Sequence, residues 1–71
     1  MEKRNISEKI DKCIHEIRDG ENPEEAYVKG RCMANVSCIL GEISETDRDI
    51  LYALLLNAKR MRAVVDRVSL T

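Results

Sequence analysis

The residue types that most often bind metals or transfer protons are rare in this chain of 71 residues. It has three cysteines, Cys13, Cys32 and Cys38, and one histidine, His15. Zinc sites need Cys and His ligands that a turn or a helix face brings together. Cys13 and His15 are two residues apart, on nearly opposite sides of a helix, and the spacing from Cys32 to Cys38 matches no common zinc pattern. We therefore predict no metal site, no cofactor and three buried, reduced thiols.

Motifs for catalysis are missing as well. The chain contains no Gly-rich phosphate loop and no nucleophile motif. His15 falls on the charged side of the first predicted helix and has no evident partner that would make it a general base. We predict that the chain has no catalytic residues and is not an enzyme.

Cations gather near the C-terminal end of the sequence. Lys59, Arg60, Arg62 and Arg67 are accompanied there by a single acid, Asp66. One interpretation is that they complement the negative end of a helix dipole. The alternative is an anion patch, because residues 59 and 62 are neighbours on one helix face, and its ligand would be a phosphate-bearing molecule or an acidic protein surface.

The composition indicates a folded helical chain with an aliphatic core. Apolar residues make up 44% and charged residues 35%, the net charge is −1, and the aromatic residues are two tyrosines. Such a balance creates no overall field for nucleic acid or a membrane surface. No window approaches the roughly 18 apolar residues of a membrane span, and no signal peptide is evident, so we expect a cytoplasmic protein without membrane contact.

A helix is predicted over about residues 6–18. Its apolar residues recur at helical spacing and would form one buried stripe: Ile6, Ile10, Cys13, Ile14 and Ile17. Gly20 is expected to end the helix in the left-handed conformation. Asn22 and Pro23 have the residue types of an N-cap and a first helical position, and Glu25 completes a variant of the capping box.

The second predicted helix, over about 23–42, has two possible contact faces. Residues 32–41, CMANVSCILG, carry no charge and must be covered on most sides. One stripe contains large or medium apolar residues: Val28, Cys32, Val36 (or Asn35), Ile39 and Ile43. The other contains small residues: Gly30, Ala34, Ser37 (or Cys38) and Gly41. We assign the first stripe to the core of the chain and the small one to close contact with a second copy, which would offset the cost of glycine in a helix.

The third predicted helix, over about 45–69, begins with cap-like pairs at Ser44 or Thr46. A row of residues, all apolar except Asn57, follows a spacing of four and three that is typical of a coiled coil: Ile50, Leu54, Asn57, Met61, Val64 and Val68. Leu54, Asn57 and Met61 are predicted to join the self-interface. Asn57 could pair with its own copy and set the register, or it could lie in solvent at the edge of the face.

The segment 44–55, SETDRDILYALL, resembles the opening of the first helix in the DNA-binding domains of LuxR-type response regulators. The resemblance implies a helix-turn-helix. In that family a recognition helix follows, whereas this chain continues in one helix whose first turns present Ile50, Leu51 and Leu54 where base-reading residues would stand. Sequence-specific DNA binding is therefore not expected.

Together these patterns predict an all-α domain: a short N-terminal helix, then a long antiparallel hairpin of two helices that packs as a homodimeric or higher helical bundle. As a function we expect a small regulatory or inhibitory protein, of a bacterium, phage or mobile element, that docks a helical surface on another protein. Two alternatives remain open. One is an anion- or nucleotide-binding homo-oligomer, and the other is a structural assembly component.

Overall fold

Three helices build the protein. The computed structural model describes the backbone of residues 3–69 and the side chains of residues 6–68. The helices are α1 (Lys3–Asp19), α2 (Pro23–Ile39) and α3 (Glu45–Ser69), and each packs against both others. The all-α class is confirmed, and the described range contains no strand. The bundle is elongated, 45 × 18 × 16 Å, because α3 is longer than its two neighbours.

The predicted stripe of α1 forms one wall of the core. Ile6, Ile10, Cys13 and Ile17 are buried, and Ile14 packs against them while partly exposed, so this prediction is confirmed. Burying an isoleucine contributes about 1.5–3 kcal/mol. The other described side chains of α1, within 7–19, face water and are mostly charged, so this part of α1 has a single packing face.

The turn between α1 and α2 differs from the prediction at Gly20. The only glycine with positive φ among the described residues is Gly41, so Gly20 does not adopt the left-handed conformation. Its amide instead donates to the Glu16 carbonyl at 2.8 Å. A Cβ at Gly20 would lie 2.5 Å from that oxygen, so lack of space, not positive φ, excludes a side chain there.

The start of α2 confirms the predicted cap. The amide of Glu25 donates to Oδ1 of Asn22 at 3.2 Å, and Nδ2 of Asn22 donates to the Glu25 carboxylate at 3.0 Å. Pro23 is the first helical residue. The side chain of Asn22 thus satisfies one of the amides that a helix start leaves without a partner.

The end of α2 lies at Ile39, three residues earlier than predicted. Gly41 has a φ of 78°, its amide donates to the Cys38 carbonyl, and the Glu42 amide donates to the Ser37 carbonyl. This pair of bonds is the Schellman motif, which closes a helix through a left-handed glycine. Gly41 is therefore a turn residue, and α1 and α2 are equal in length at 17 residues, so α1 is not the short helix of the prediction.

The start of α3 is capped by Ser44, one of the two predicted residues: the Asp47 amide donates to its Oγ at 3.0 Å.

Late in α3, Arg62 contacts the carbonyl oxygens at the end of α1, so the residues after Arg62 extend beyond that helix. Contacts between α2 and α3 join Glu24 to Lys59 and Arg31 to Tyr52. Residues later in α2 therefore lie beside residues earlier in α3.

Among the described helices none is both long enough and apolar enough to cross a membrane.

Candidate helix-docking surface

The two stripes of α2 do not have the orientation that we predicted for them. The small residues Gly30, Ala34 and Ser37 are buried in the core of the chain. A Cβ at Gly30 would lie 2.7 Å from Cδ2 of Leu55 and 3.4 Å from Cβ of Cys13. The close contact expected at Gly30 therefore exists, but it is made with α3 and α1 of the same chain. These three residues are not available to a second copy.

The stripe of α2 that we predicted for the core faces outward at Val28, Cys32, Val36 and Ile39, so the prediction is wrong for these four residues. We call this surface the α2 outer strip, and its members are Val28, Cys32, Val36, Ile39 and Leu40. The four aliphatic members are 52–75% exposed. Ile43, the fifth member of the predicted stripe, is buried beyond the end of the helix, so the prediction is confirmed for that residue. Small side chains face inward because α1 and α3 already supply large ones, and only small partners let three helices approach closely.

The α3 helix also has one covered and one uncovered apolar face. Leu55 and Ala58 are buried, and Leu51 packs on the core. On the neighbouring side of the helix lies a row that we call the α3 seam: Ile50, Leu54, Asn57, Met61, Val64 and Val68. Its apolar members are 48–65% exposed, and Asn57 is exposed. The four-and-three spacing in the sequence thus marks a face that the described residues leave exposed.

Charge is distributed unevenly along α3. Three acids and one base, Glu45, Asp47, Arg48 and Asp49, precede the seam, whereas four bases and one acid follow Ala58: Lys59, Arg60, Arg62, Asp66 and Arg67. The stretch between them, 50–58, is uncharged. The first turn is therefore negative and the second half positive, as the helix dipole favours.

The predicted anion patch is divided by its contacts. Lys59 binds Glu24 of α2 at 3.1 Å. Arg62 donates through Nη1 to the carbonyl oxygens of Ile17, Arg18 and Gly20 and through Nε to Asp66. These carbonyls are the acceptors that the end of α1 leaves without helical partners.

Arg62 therefore fastens α3 to α1, and Lys59 fastens α3 to α2. Arg60 and Arg67 are exposed on the outer side of α3. The structure does not bring the four cations together as one open patch.

Two further residues of the predicted self-interface lie near the end of α2. Cys38 is partly buried, and Gly41 is exposed in the turn.

A row of cations and aromatic rings joins α2 to α3, and the sequence analysis missed it. The guanidinium carbon of Arg31 lies 5.7 Å from the ring centre of Tyr27 and 5.0 Å from that of Tyr52. The guanidinium carbon of Arg48 lies 5.6 Å from the ring centre of Tyr52, and Nζ of Lys59 lies 4.6 Å from that of Tyr27. The signal was present in the sequence, because the two tyrosines each have a cation four residues away on the same helix.

The cysteines differ in exposure. Cys13 is buried, Cys38 is partly buried and Cys32 is exposed, so the prediction of three buried thiols is wrong for Cys32. Burial raises the pKa of the Cys13 thiol, Glu16 adds to the increase, and Lys29 opposes it.

His15 is exposed and pairs with Asp19 at 3.4 Å on the surface of α1. Within the described residues no three His, Cys, Asp or Glu side chains are grouped as metal ligands.

In the part of the chain that the structure describes, three helices form the fold, and two apolar faces are exposed. Comparison of the chain with family profiles, with curated protein sequences and with solved structures found no match. The functional argument therefore rests on the surfaces themselves.

Proposed function

We propose that this chain is a non-enzymatic regulatory or inhibitory protein that acts by docking a helical surface on another protein. The observation that carries the proposal is the outward position of the α2 outer strip and the α3 seam. Exposed aliphatic residues that recur at helical spacing on one face mark interaction sites more often than chance, whereas single exposed apolar residues need no explanation.

The α2 outer strip has the form of a helix-in-groove anchor. Val28, Cys32, Val36 and Ile39 recur every three or four residues, as the anchor residues of a docked helix do. An apolar groove of about 240 Å³ runs beside them between α1 and α2, with Ile6 and Met33 in its lining. A partner helix with a matching aliphatic stripe would cover both the strip and the groove.

The α3 seam supports the second part of the proposal, which is self-association. α1 and α2, with 17 residues each, do not cover the 25 residues of α3 on two sides, and the outer face of α3 keeps a continuous apolar row. We assign the α3 seam to a second copy and the α2 outer strip to the regulated protein. The charged face of α1 lies between the two surfaces on one side. The row of cations and tyrosine rings that joins α2 to α3 lies between them on the other.

The test is affinity capture from the native host with matched variants. Val36→Asp and Ile39→Asp place a charge on the exposed α2 outer strip, and Lys12→Gln changes the net charge equally on the exposed face of α1. The proposal expects one stoichiometric partner with the parent and with Lys12→Gln, and its loss with the two strip variants. Recovery of the same protein by all four chains, or of no stoichiometric protein at all, would contradict it.

One rival function has a specific observation in its favour. Two apolar faces on different helices could make unlike contacts, which form open chains if the rotation does not close. The chain would then be a structural assembly component. Growth of the molar mass without limit as concentration rises would support that rival and oppose the docking proposal. The anion-binding alternative has no such support, since Lys59 and Arg62 are held by groups of the same chain.

A further inference from the structure

We propose that the α3 seam is covered by the α3 seam of a second copy that runs antiparallel to it about a two-fold axis. The inference rests on the self-association part of the proposed function and specifies its geometry. Two further kinds of occupant, a second copy in parallel orientation and a helix of another protein, are outcomes that the experiment distinguishes.

The first argument is the spacing of the seam. From Ile50 to Val68 its members alternate steps of four and three residues, the repeat that keeps one row of side chains facing one neighbouring helix. The row spans about 27 Å at 1.5 Å per residue. A broad apolar face would fit several partners, but a row one helix wide fits a single helix of similar length.

The second argument is charge complementarity. The start of α3 is negative and its second half is positive, while the stretch 50–58 between them is uncharged. An antiparallel pair places each negative end beside the positive end of the other copy, and the two helix dipoles also oppose each other. A parallel pair places like charge beside like charge at both ends. The charge pattern therefore selects a second copy and selects its direction.

The third argument is that one register covers the whole seam. In the antiparallel arrangement Ile50 meets the partner's Val68, Leu54 meets the partner's Val64, and Asn57 meets the partner's Met61. The two-fold axis repeats each contact, so no member of the seam is left over. Asn57 then lies against a thioether rather than against its own copy, in contrast to the parallel pairing that would join the two asparagines.

The same register brings rim charges together on the side of α3 away from α1. Asp49, Arg60 and Arg67 are exposed, and their spacings of eleven and seven residues keep them on one flank of the seam. Asp49 comes beside the partner's Arg67, although it also contacts Arg48 of its own chain at 3.2 Å. Arg60 comes near the partner's Arg60, which is the one unfavourable contact of the arrangement.

The experiment is sedimentation equilibrium of the full chain over a wide concentration range. A row one helix wide is small for a stable dimer, so we expect a dimer that dissociates on dilution. Leu54→Asp and Met61→Asp should abolish it, while circular dichroism remains that of the folded chain because both residues are exposed. Val36→Asp on the α2 outer strip is the matched control and should leave the dimer intact.

Charge exchange then tests the direction. Asp49→Arg alone and Arg67→Asp alone should each weaken the dimer by about tenfold at low salt, because two symmetric rim pairs change from attraction to repulsion. The double variant Asp49→Arg with Arg67→Asp should restore the parent affinity. In a parallel pair the two copies of a flank residue lie on opposite sides of the two-fold axis, and Asp49 lies far along the helix from the partner's Arg67. No attractive pair between these two residues exists to be lost or restored, so none of the three variants would change the affinity.

Each contrary result has a separate meaning. Equal dissociation constants across the charge series would overturn the antiparallel direction but leave self-association through the seam. A parent chain that stays monomeric at every concentration would overturn the second copy as the occupant, and the capture experiment on the α2 outer strip would still decide the proposed function. A dimer that survives Leu54→Asp and Met61→Asp would show that the seam is not the interface.

Discussion

Leu55 occupies the space that a side chain on Gly30 would need. The distance from the ideal Cβ position of Gly30 to Cδ2 of Leu55 is 2.7 Å, and to Cδ1 it is 3.1 Å. Leu55 is among the largest fully buried side chains, so it cannot move into solvent to relieve such a contact. The missing side chain at position 30 therefore sets how closely α2 approaches α3.

Gly30→Ala is expected to destabilise the fold, although alanine is the better helix former by about 1 kcal/mol. Overpacking a well-filled core costs about 1–3 kcal/mol, and here the neighbours are the side chains of Leu55 and Cys13. Urea denaturation followed by circular dichroism measures the change. Combining Gly30→Ala with Leu55→Ala should cost less than the sum of the two single changes. An additive result, or a stabilised Gly30→Ala chain, would contradict the close approach.

Arg62 should contribute more to stability than any other cation on α3. Its guanidinium satisfies three carbonyl oxygens at the end of α1 and pairs with Asp66, and its side chain is 21% exposed. Arg62→Met keeps the apolar stem but leaves those carbonyls without this donor, and hydrogen bonds to charged groups contribute about 1.5–3 kcal/mol. We expect a loss in that range by urea denaturation. Arg60→Met, at an exposed position, is the control, and an equal loss in both variants would refute the role of Arg62.

Asn22→Ala should weaken the start of α2. Its side-chain oxygen accepts from the Glu25 amide at 3.2 Å, and removing an N-cap of this kind costs about 1 kcal/mol. Asn22→Ser supplies another capping oxygen and should recover most of the loss. Thermal denaturation of the three chains measures the effect, and a serine variant no better than the alanine variant would argue against capping as the cause.

Cys32 and Cys13 should differ strongly in alkylation rate. The thiolate is the reactive form, and burial both shields Cys13 and raises the pKa of its thiol. Iodoacetamide followed by peptide mass spectrometry should find Cys32 modified first and Cys13 protected until the chain unfolds. In denaturant the two rates should converge. Rapid modification of Cys13 in the folded chain would mean that α1 opens easily.

The raised pKa of Cys13 also predicts the sign of a pH effect on stability. The unfolded chain releases the thiol proton at a lower pH than the folded chain, so this contribution is complete below the unfolded pKa and is lost as the pH rises through the folded pKa. The free energy of unfolding should therefore fall at alkaline pH. Cys13→Ala should fall less steeply over the same range, and identical slopes would refute the assignment.

Periodicity in the sequence was sufficient to predict that the chain forms three helices and which face of α1 packs in the core. α1 has one apolar side, which contains Ile6, Ile10 and Ile17, and one charged side, so only one orientation of the helix buries these residues. The caps at Asn22 and Ser44 were predictable for the same local reason, because their partners lie three residues away. Gly41 was predicted to lie inside α2, and its place in a Schellman turn depends on bonds to Ser37 and Cys38 that the sequence does not display.

The orientation of α2 was decided only by tertiary packing. Its sequence determined that Val36 and Ile39 form one stripe and that Gly30 and Ala34 form another, but either stripe could face the core. Ile10, Ile17 and Leu55 fill the interior from α1 and α3, and the volume left at the third wall admits only small side chains. A helix therefore turns its smaller residues inward when its neighbours supply the larger ones. The size of those neighbours is a property of the assembled bundle, and α2 alone does not contain it.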